Sequence, residues 1–278
     1  QEGGRVQRLR PPHWRAAPPA RVFGELYDRA PELALAAVKL NHQLLAHELI
    51  ELGIDVDFAP CADLSVPGAH DVIGDRAFHT EPEPVAQMST AALEGLLDQG
   101  VLGVIKHMPG HGRAAADSHL ELPVVTTDAE TLYTRDFEAF KGIKGALMAM
   151  TAHVVYAAID SEHTATQSRD VIDGVIRGAI GFDGLLMTDD LSMQALEGSL
   201  RHRGERALAA GCELLMHCNG QMDEMVEVAH AAPDLSGRAR ERAGLALDAR
   251  HSPNVFDPAE GVTRLKALFA EGGVPLQS

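Results

Sequence analysis

The chain has 278 residues, enough for one large α/β domain or two small ones. Its formal net charge is −16, which argues against nucleic-acid or anionic-membrane partners, because those need clustered Lys and Arg. The three cysteines show no CxxC spacing, no apolar run reaches the length of a membrane span and no signal peptide is visible, so we expect a cytoplasmic, disulfide-free protein.

Apolar spacing and turn residues predict the secondary structure along the chain. In the first third of the chain, a loop is predicted at Pro11–Pro19 and a strand at Ile54–Ala59. Helices are predicted on either side of that strand, at Glu32–Leu52 and Pro84–Gln99. Four further strands are predicted at Val101–His107, Ala146–His153, Gly184–Thr188 and Glu213–Cys218. Later helices are predicted at Asp128–Phe140, Arg169–Ile180, Leu200–Ala210, Met222–Ala231 and Leu235–Arg250.

Alternation of strands and helices indicates parallel βαβ units. Each predicted strand is followed by polar side chains, namely Asp63, Lys106 with His107, His153, Asp189, and His217 with Asn219. Functional groups at the carboxyl ends of successive strands favour a (β/α)8 TIM-type barrel over a doubly wound sheet. No GxGxxG or P-loop follows a strand, which disfavours nucleotide binding. We therefore expect a single barrel domain over residues 1–278.

The segment Lys106–Gly112 is the first candidate catalytic loop. It reads KHMPGHG and follows a buried apolar strand, and Asp117, Ser118 and His119 come soon after it. Pro and Gly force an irregular loop here, and titratable loops after buried strands carry the chemistry of many α/β enzymes. The alternative is a solvated loop that happens to be rich in His.

The second candidate site is the pair Asp189 and Asp190 at the end of the strand Gly184–Thr188. Adjacent residues in an extended segment point to opposite sides. One carboxylate can therefore face a pocket while the other caps a helix predicted to begin near Leu191–Ser192. The alternative is that both carboxylates only cap that helix.

Several long motifs resemble those of glycoside hydrolase family 3, and within it the single-domain bacterial β-N-acetylglucosaminidases. The matching segments are residues 1–8, 58–60, 73–79, 106–112, 117–119, 152–154, 181–184, 188–193, 210–212 and 218–219. They occur in consistent order from residue 1 to about residue 230. The resemblance implies hydrolysis of terminal N-acetylglucosamine from peptidoglycan fragments such as N-acetylglucosaminyl-anhydromuramyl peptides, during cell-wall recycling. It implies no metal or cofactor.

The resemblance also implies a role for individual residues. Asp189 matches the catalytic nucleophile, His119 the general acid/base and Asp117 the residue that orients it. The residues that match those holding the N-acetylglucosamine ring are Arg8, Arg76, Lys106 and His107.

Some positions depart from the family pattern. In the family, a sugar-binding aspartate stands just before the position of Gln1. Roughly three of the eight βα units of the family's barrel precede the segment that corresponds to residues 1–8. Met108 and Thr151 stand where Phe and Pro are usual, and Arg113 adds a positive charge near the substrate path. We therefore expect an N-terminally incomplete barrel that is unstable alone or pairs with a second copy, and that binds sugar weakly.

The implied chemistry is physically reasonable for these residues. A retaining glycosidase needs a carboxylate nucleophile and a proton donor. Lys106 would favour the ionised form of Asp189. The Asp-Ser-His spacing puts Asp117 and His119 on one side of an extended segment, so Asp117 can fix the tautomer of an imidazole that titrates near pH ~6.5.

Other functions remain open from the sequence. One is a metal-dependent barrel hydrolase that uses His107, His111, His153 and Asp189. Another is a catalytically impaired fragment that only binds sugar. A third is transfer of the sugar to phosphate, because a histidine acid/base does not repel an anionic acceptor. A serine triad at Ser118 is disfavoured, since no nucleophile-elbow glycines flank it.

Overall fold

The computed structural model describes residues 1–118 and 121–276. Its main element is a five-stranded sheet in which every pairing is parallel and the strand order is β1-β2-β4-β7-β8. These strands are β1 (Val56–Asp57), β2 (Leu102–Met108), β4 (Met148–Thr151), β7 (Leu185–Asp190) and β8 (Leu214–Met216). A smaller sheet pairs β3 (Val124–Val125), β5 (Val155–Tyr156) and β6 (Asp160–Thr164).

Helices separate these strands, as βαβ connections require. The α-helices are α1 (Ala20–Tyr27), α2 (Pro31–Ile50), α3 (Pro82–Asp98), α4 (Ala129–Thr131), α5 (Phe137–Lys141), α6 (Leu200–Ala210), α7 (Met222–Ala231), α8 (Gly237–Asp248) and α9 (Pro258–Glu271). Two π-helical segments, Leu132–Asp136 and Asp170–Ala179, and two 3-10 helices, Gly74–Arg76 and Ala165–Gln167, also occur in the described part of the chain. Among the described residues, no helix is long and apolar enough to cross a bilayer.

The five predicted strands all occur, each within a few residues of its expected position. The helix predicted to begin near Leu191–Ser192 is wrong. Residues 191–199 form turns, and α6 begins only at Leu200, where Ser199 accepts a hydrogen bond from the backbone of His202. The small sheet was not foreseen, because its β3 and β5 span only two residues each and show no periodic pattern.

Alternate residues of the main sheet face two different apolar layers. Ile105, Ala149 and Leu186 pack outward into the large core beneath the helices. The opposite, inward layer is formed by Leu102, Val104, Met148, Met150, Leu185 and Met187. The structure is therefore a curled part of a (β/α) barrel, which confirms the predicted fold class.

Helix α8 covers part of the inward layer. Ala243 and Ala246 pack against the inward side chains of the sheet. Arg242 donates to Glu213 beside β8 (2.6 Å), and Arg250 donates to Asp55 beside β1 (2.5 Å). Helix α8 and Arg250, which follows it, thus link both edges of the sheet at the amino ends of its strands.

Candidate active site

Lys106, near the carboxyl end of β2, belongs to a buried charged triad with Glu2 and Arg76. Lys106 Nζ lies 2.6 Å from Glu2 Oε1, while Arg76 Nη2 and Nε donate to Glu2 Oε1 and Oε2, both at 2.8 Å. Burial opposes ionisation of Glu2, but the two cations outweigh it and lower the pKa of this carboxyl. The two predicted sugar-binding cations are therefore held by one carboxylate that sequence reasoning did not single out.

Asp63 organises the loop that follows β2. It is fully buried and its Oδ2 accepts from His107 Nδ1 at 2.6 Å. Its Oδ1 accepts from the backbone N–H of His111 at 2.5 Å. Burial alone would raise the pKa of Asp63, but the charge and hydrogen bond of His107 lower it to about 2. The Asp63 carboxylate therefore fixes both the ring of His107 and the path of the loop.

Asp189 and Asp190 take different directions, as their adjacency on a strand predicts. Asp189 Oδ2 faces His107 Nε2 at 3.9 Å, and its Oδ1 accepts from the backbone N–H of Asp190 at 2.8 Å. Asp190 instead caps a turn, accepting from the backbone and hydroxyl of Ser192 at 3.0 and 2.8 Å. Its Oδ1 also accepts from the backbone of Cys218 at the end of β8.

The electrostatic surroundings favour an ionised Asp189. Burial opposes ionisation, but His107, His153, the Asp190 backbone N–H and Lys106 together lower the pKa of this carboxyl. Its side chain remains 18% exposed. A carboxylate that is rigidly held, ionised and still accessible is suited to nucleophilic attack.

His153, after β4, contacts the same segment from the other side. Its Nε2 lies 3.1 Å from the carbonyl oxygen of Asp190, and its Nδ1 lies 2.7 Å from Thr166 Oγ1. Thr166 Oγ1 also contacts Thr151 Oγ1 at 2.8 Å. His153, Thr151 and Thr166 are all fully buried. His153 thus satisfies buried hydrogen bonds next to the Asp189 strand end.

The loop that should carry the general acid/base is described up to Ser118. His111 Nε2 and Ser118 Oγ lie 3.1 Å apart, and both residues are buried. Gly112 packs so closely that a Cβ there would lie 2.1 Å from the carbonyl oxygen of Leu64. Asp117 is half-buried on this loop, whereas His119 lies outside the described residues. The proposed pairing of Asp117 with His119 therefore stays a prediction.

The remaining predicted residues lie at the edge of this cluster. Arg8 is exposed, and its charge acts on the Cys218 thiol together with those of Asp190, Asp189 and Lys106. Burial is the main reason that the pKa of this thiol is raised to about 11.

Arg113 does not present a free charge to the substrate path, because its Nε donates to the buried Asp136 at 2.6 Å.

The arrangement does not fit the metal-dependent alternative. His153 Nδ1 faces the Thr166 hydroxyl and its Nε2 faces the Asp190 carbonyl oxygen, so neither ring nitrogen is open to a metal. Within the described part of the chain, Cys61, Asp63 and His107 are the one group of three ligand types brought within 4.8 Å of one another. However, the 2.6 Å separation of Asp63 and His107 is that of a hydrogen bond, and burial raises the pKa of the Cys61 thiol.

Three residues of this cluster are not predicted as site residues from the sequence. Glu2 lies in the matching segment 1–8 and Asp63 follows a predicted strand, but neither has a predicted role there. No sequence pattern marks Thr166. The carboxyl-end rule for parallel strands could have identified Asp63.

Comparison with known proteins supports the assignment of the family. Residues 1–240 match the glycosyl hydrolase family 3 N-terminal domain. A β-hexosaminidase of Nitrosomonas eutropha is 41% identical over 226 residues, which cover 79% of this chain and 63% of that protein. A β-hexosaminidase of Aromatoleum aromaticum is 37% identical over 263 residues, covering 92% of this chain and 72% of that protein.

The fold comparison agrees with the sequence comparison. The crystal structure of NagZ from Neisseria gonorrhoeae in complex with N-trifluoroacetyl-D-glucosamine has a TM-score of 0.81 and 32% identity. The match covers 99% of this chain and 78% of the NagZ chain. The predicted resemblance is thus confirmed by the family match, by overall identity and by fold. The chain belongs to glycosyl hydrolase family 3.

Proposed function

We propose that the protein is a retaining exo-acting β-N-acetylglucosaminidase that removes terminal non-reducing N-acetylglucosamine. The observation that carries this proposal is Asp189, an ionised but accessible carboxylate at the end of β7, held by the Asp190 backbone and facing His107. Such a group can attack the anomeric carbon and form a covalent glycosyl intermediate. Family membership and the β-hexosaminidase relatives support this reaction class.

The charged triad supplies the sugar-binding side of the site. An ammonium group has three N–H donors, and the contact with Glu2 uses one of them. Lys106 can therefore donate to sugar hydroxyls while Glu2 keeps its position fixed. Arg76 and His107 complete this sugar-binding side of the site, and Arg8 lies at its exposed edge.

The proton donor in this proposal is His119, oriented by Asp117. It protonates the leaving oxygen in the first step and deprotonates water in the second, using its ring nitrogen in both. General acid/base help of this kind contributes on the order of 10²–10⁴ in rate. The proposed reaction needs only these side chains and the water that hydrolyses the intermediate.

The relatives support a substrate class for this proposal. The solved gonococcal NagZ binds N-trifluoroacetyl-D-glucosamine, which supports an N-acylated amino sugar in the site of this chain. We propose that the natural substrates are peptidoglycan fragments such as N-acetylglucosaminyl-anhydromuramyl peptides. Cell-wall recycling in the cytoplasm would supply them.

Turnover of 4-nitrophenyl N-acetyl-β-D-glucosaminide tests the reaction, with the corresponding glucoside as the selectivity control. Proton NMR should show the β-anomer as the first product. Asp189→Asn should abolish turnover, whereas Asp234→Asn, at an exposed carboxylate, should not change it. An activated fluoro-sugar should label Asp189.

Three results would reject parts of this proposal. Label on Asp190, or activity retained in Asp189→Asn, would remove Asp189 from its role. Activity that disappears in chelator and returns with a metal would favour the metal-dependent alternative. Release of N-acetylglucosamine 1-phosphate in phosphate buffer would identify phosphate as the acceptor.

A further inference from the structure

The hydrogen bonds of His153 determine its tautomer. Its Nε2 lies 3.1 Å from the carbonyl oxygen of Asp190, and a carbonyl oxygen only accepts hydrogen bonds. Nε2 must therefore carry the proton. His153 is fully buried, and burial, the largest influence on its ring, lowers the pKa of His153 and so favours the neutral form, in which Nδ1 has a lone pair.

Thr166 supplies the donor that this tautomer needs. Its Oγ1 lies 2.7 Å from His153 Nδ1 and 3.1 Å from the carbonyl oxygen of Ala152. A hydroxyl has only one proton. If Thr166 donated to Ala152, Nδ1 would be left as a buried acceptor without a donor. The neutral ring thus requires the Thr166 hydroxyl to donate to Nδ1.

Thr151 completes the chain of donors. Its hydroxyl lies 2.8 Å from Thr166 Oγ1, which can accept from it because the Thr166 proton is committed to His153. All three side chains are fully buried, so water does not compete for these hydrogen bonds. The direction of donation is then fixed from Thr151 to Thr166 to His153 to the Asp190 carbonyl.

This relay ends at the nucleophile. The same Asp190 residue whose carbonyl accepts from His153 donates its backbone N–H to Asp189 Oδ1 at 2.8 Å. We propose that Thr166 is a positioning residue: its hydroxyl anchors Nδ1 of the His153 ring, so that Nε2–H of this ring holds the Asp190 backbone and thereby orients the Asp189 carboxylate. The catalytic part of this inference rests on the proposed function.

Two substitutions separate the hydrogen bond from side-chain packing. Thr166→Val keeps the volume and removes the hydroxyl, whereas Thr166→Ser keeps the hydroxyl. Thr164→Val is the matched control, because Thr164 is buried on the same segment and its Oγ1 has no hydrogen-bond partner among the described residues.

Long-range ¹H–¹⁵N NMR of histidine-labelled protein reports the tautomer directly, with His153→Gln assigning the signal. We expect the Nε2–H form in the unmodified protein and in all three threonine variants, because the Asp190 carbonyl oxygen requires it, and we expect the ¹⁵N resonance of Nδ1 to move downfield, as an acceptor does when it loses its hydrogen bond, only in Thr166→Val. The amide proton of Asp190 should shift only in Thr166→Val. In Thr166→Val, kcat should fall about 10-fold while KM stays nearly unchanged. This loss is smaller than the about 10²-fold loss in rate that a misplaced reacting group can cause.

An Nδ1–H tautomer in the unmodified protein would overturn the inference. So would a Thr166→Val variant that keeps the Nδ1 resonance and the Asp190 amide shift of the unmodified protein together with full kcat. The two NMR measurements need no turnover. A protein without glycosidase activity would therefore reject the proposed function while the tautomer and the Asp190 amide still decide the inference.

Discussion

Lys106 Nζ lies 2.6 Å from Glu2 Oε1, and both side chains are less than one-tenth exposed. Two residues separated by 104 positions in the chain thus share one buried charge contact, and Arg76 donates to the same carboxylate. Glu2 keeps the two cations from repelling each other and holds their donors at the carboxyl end of β2. In the proposed site, Glu2 therefore positions two cations without itself needing to contact sugar.

Glu2→Gln should weaken both substrate binding and folding. The amide keeps the shape but leaves two buried cations without a counter-charge, and breaking a buried ion pair costs about 3–5 kcal/mol. We expect a lower free energy of unfolding in urea and a raised KM. Glu51→Gln, at a largely exposed carboxylate, is the control. Unchanged unfolding and KM would show that Glu2 does not stabilise the triad.

Asp63→Asn should lower kcat and stability together, because an amide cannot accept from His107 Nδ1 and the His111 backbone at once as the carboxylate does. The pKa of Asp63 in the folded protein, about 2, lies below its ordinary value. Its stabilising contribution is therefore present above the unfolded pKa and is lost as the pH falls toward 2.

Urea unfolding of the protein and of Asp63→Asn at several pH values measures this contribution. The difference in free energy of unfolding should be constant near neutral pH and should narrow between pH 5 and pH 3. A difference that does not change with pH would mean that the carboxylate charge is not what stabilises the loop.

His119→Ala should slow substrates with poor leaving groups far more than nitrophenyl glycosides. A good leaving group needs little protonation, so the loss of a general acid matters less there. Asp117→Asn should show a milder form of the same pattern. Steady-state kinetics across a series of leaving groups measures this. Equal losses on all substrates would indicate a structural role for His119.

Stability should fall in mildly acidic solution because of His42. Burial lowers the pKa of this histidine to about 4, with its Nδ1 2.8 Å from the Val38 carbonyl oxygen. The neutral form is favoured in the folded state, so its contribution is present above pH 6.5 and is lost as the pH falls toward 4. The loss is on the order of 3 kcal/mol.

Thermal melts between pH 7 and pH 4.5 test this effect. His42→Leu should reduce the dependence of Tm on pH, whatever it does to Tm at pH 7. The remaining dependence is expected from His111, whose pKa burial also lowers to about 4. A slope that is identical with and without His42 would refute the assignment.

The chain should associate through the open edges of its sheet. In the part of the chain that the structure describes, β1 and β8 each pair with one strand. Exposed apolar side chains lie close to β8, including Met225 on α7 at 43% exposure. Unpaired edges and apolar patches promote association.

Sedimentation at micromolar concentration should show dimers or larger species. Met225→Lys should weaken this association, whereas Val255→Lys, at a fully exposed site, should not. A monomeric, cooperatively melting protein would show that the edges are already protected.

Local patterns predicted the elements that carry the site. Apolar runs bounded by Gly and Pro indicate β2 and β7 because a strand buried on both faces needs continuous apolar residues. Polar residues directly after those runs then lie at the carboxyl edge of a parallel sheet. Lys106, His107 and Asp189 could therefore be placed together from the sequence. The helix near Leu191 could not be judged this way, because Asp190 caps a turn as readily as a helix.

The sequence by itself determined the family, the parallel sheet and the strand ends that carry Lys106, His107 and Asp189. Only the tertiary structure decided which groups support the site: Glu2 pairs with Lys106, and Asp63 hydrogen-bonds to His107. Thr166 hydrogen-bonds to the neighbouring His153. The physical reason is that strand ends follow from local apolar and turn residues. Partners of buried polar groups instead come from distant segments, and only packing brings their donors and acceptors within hydrogen-bond distance.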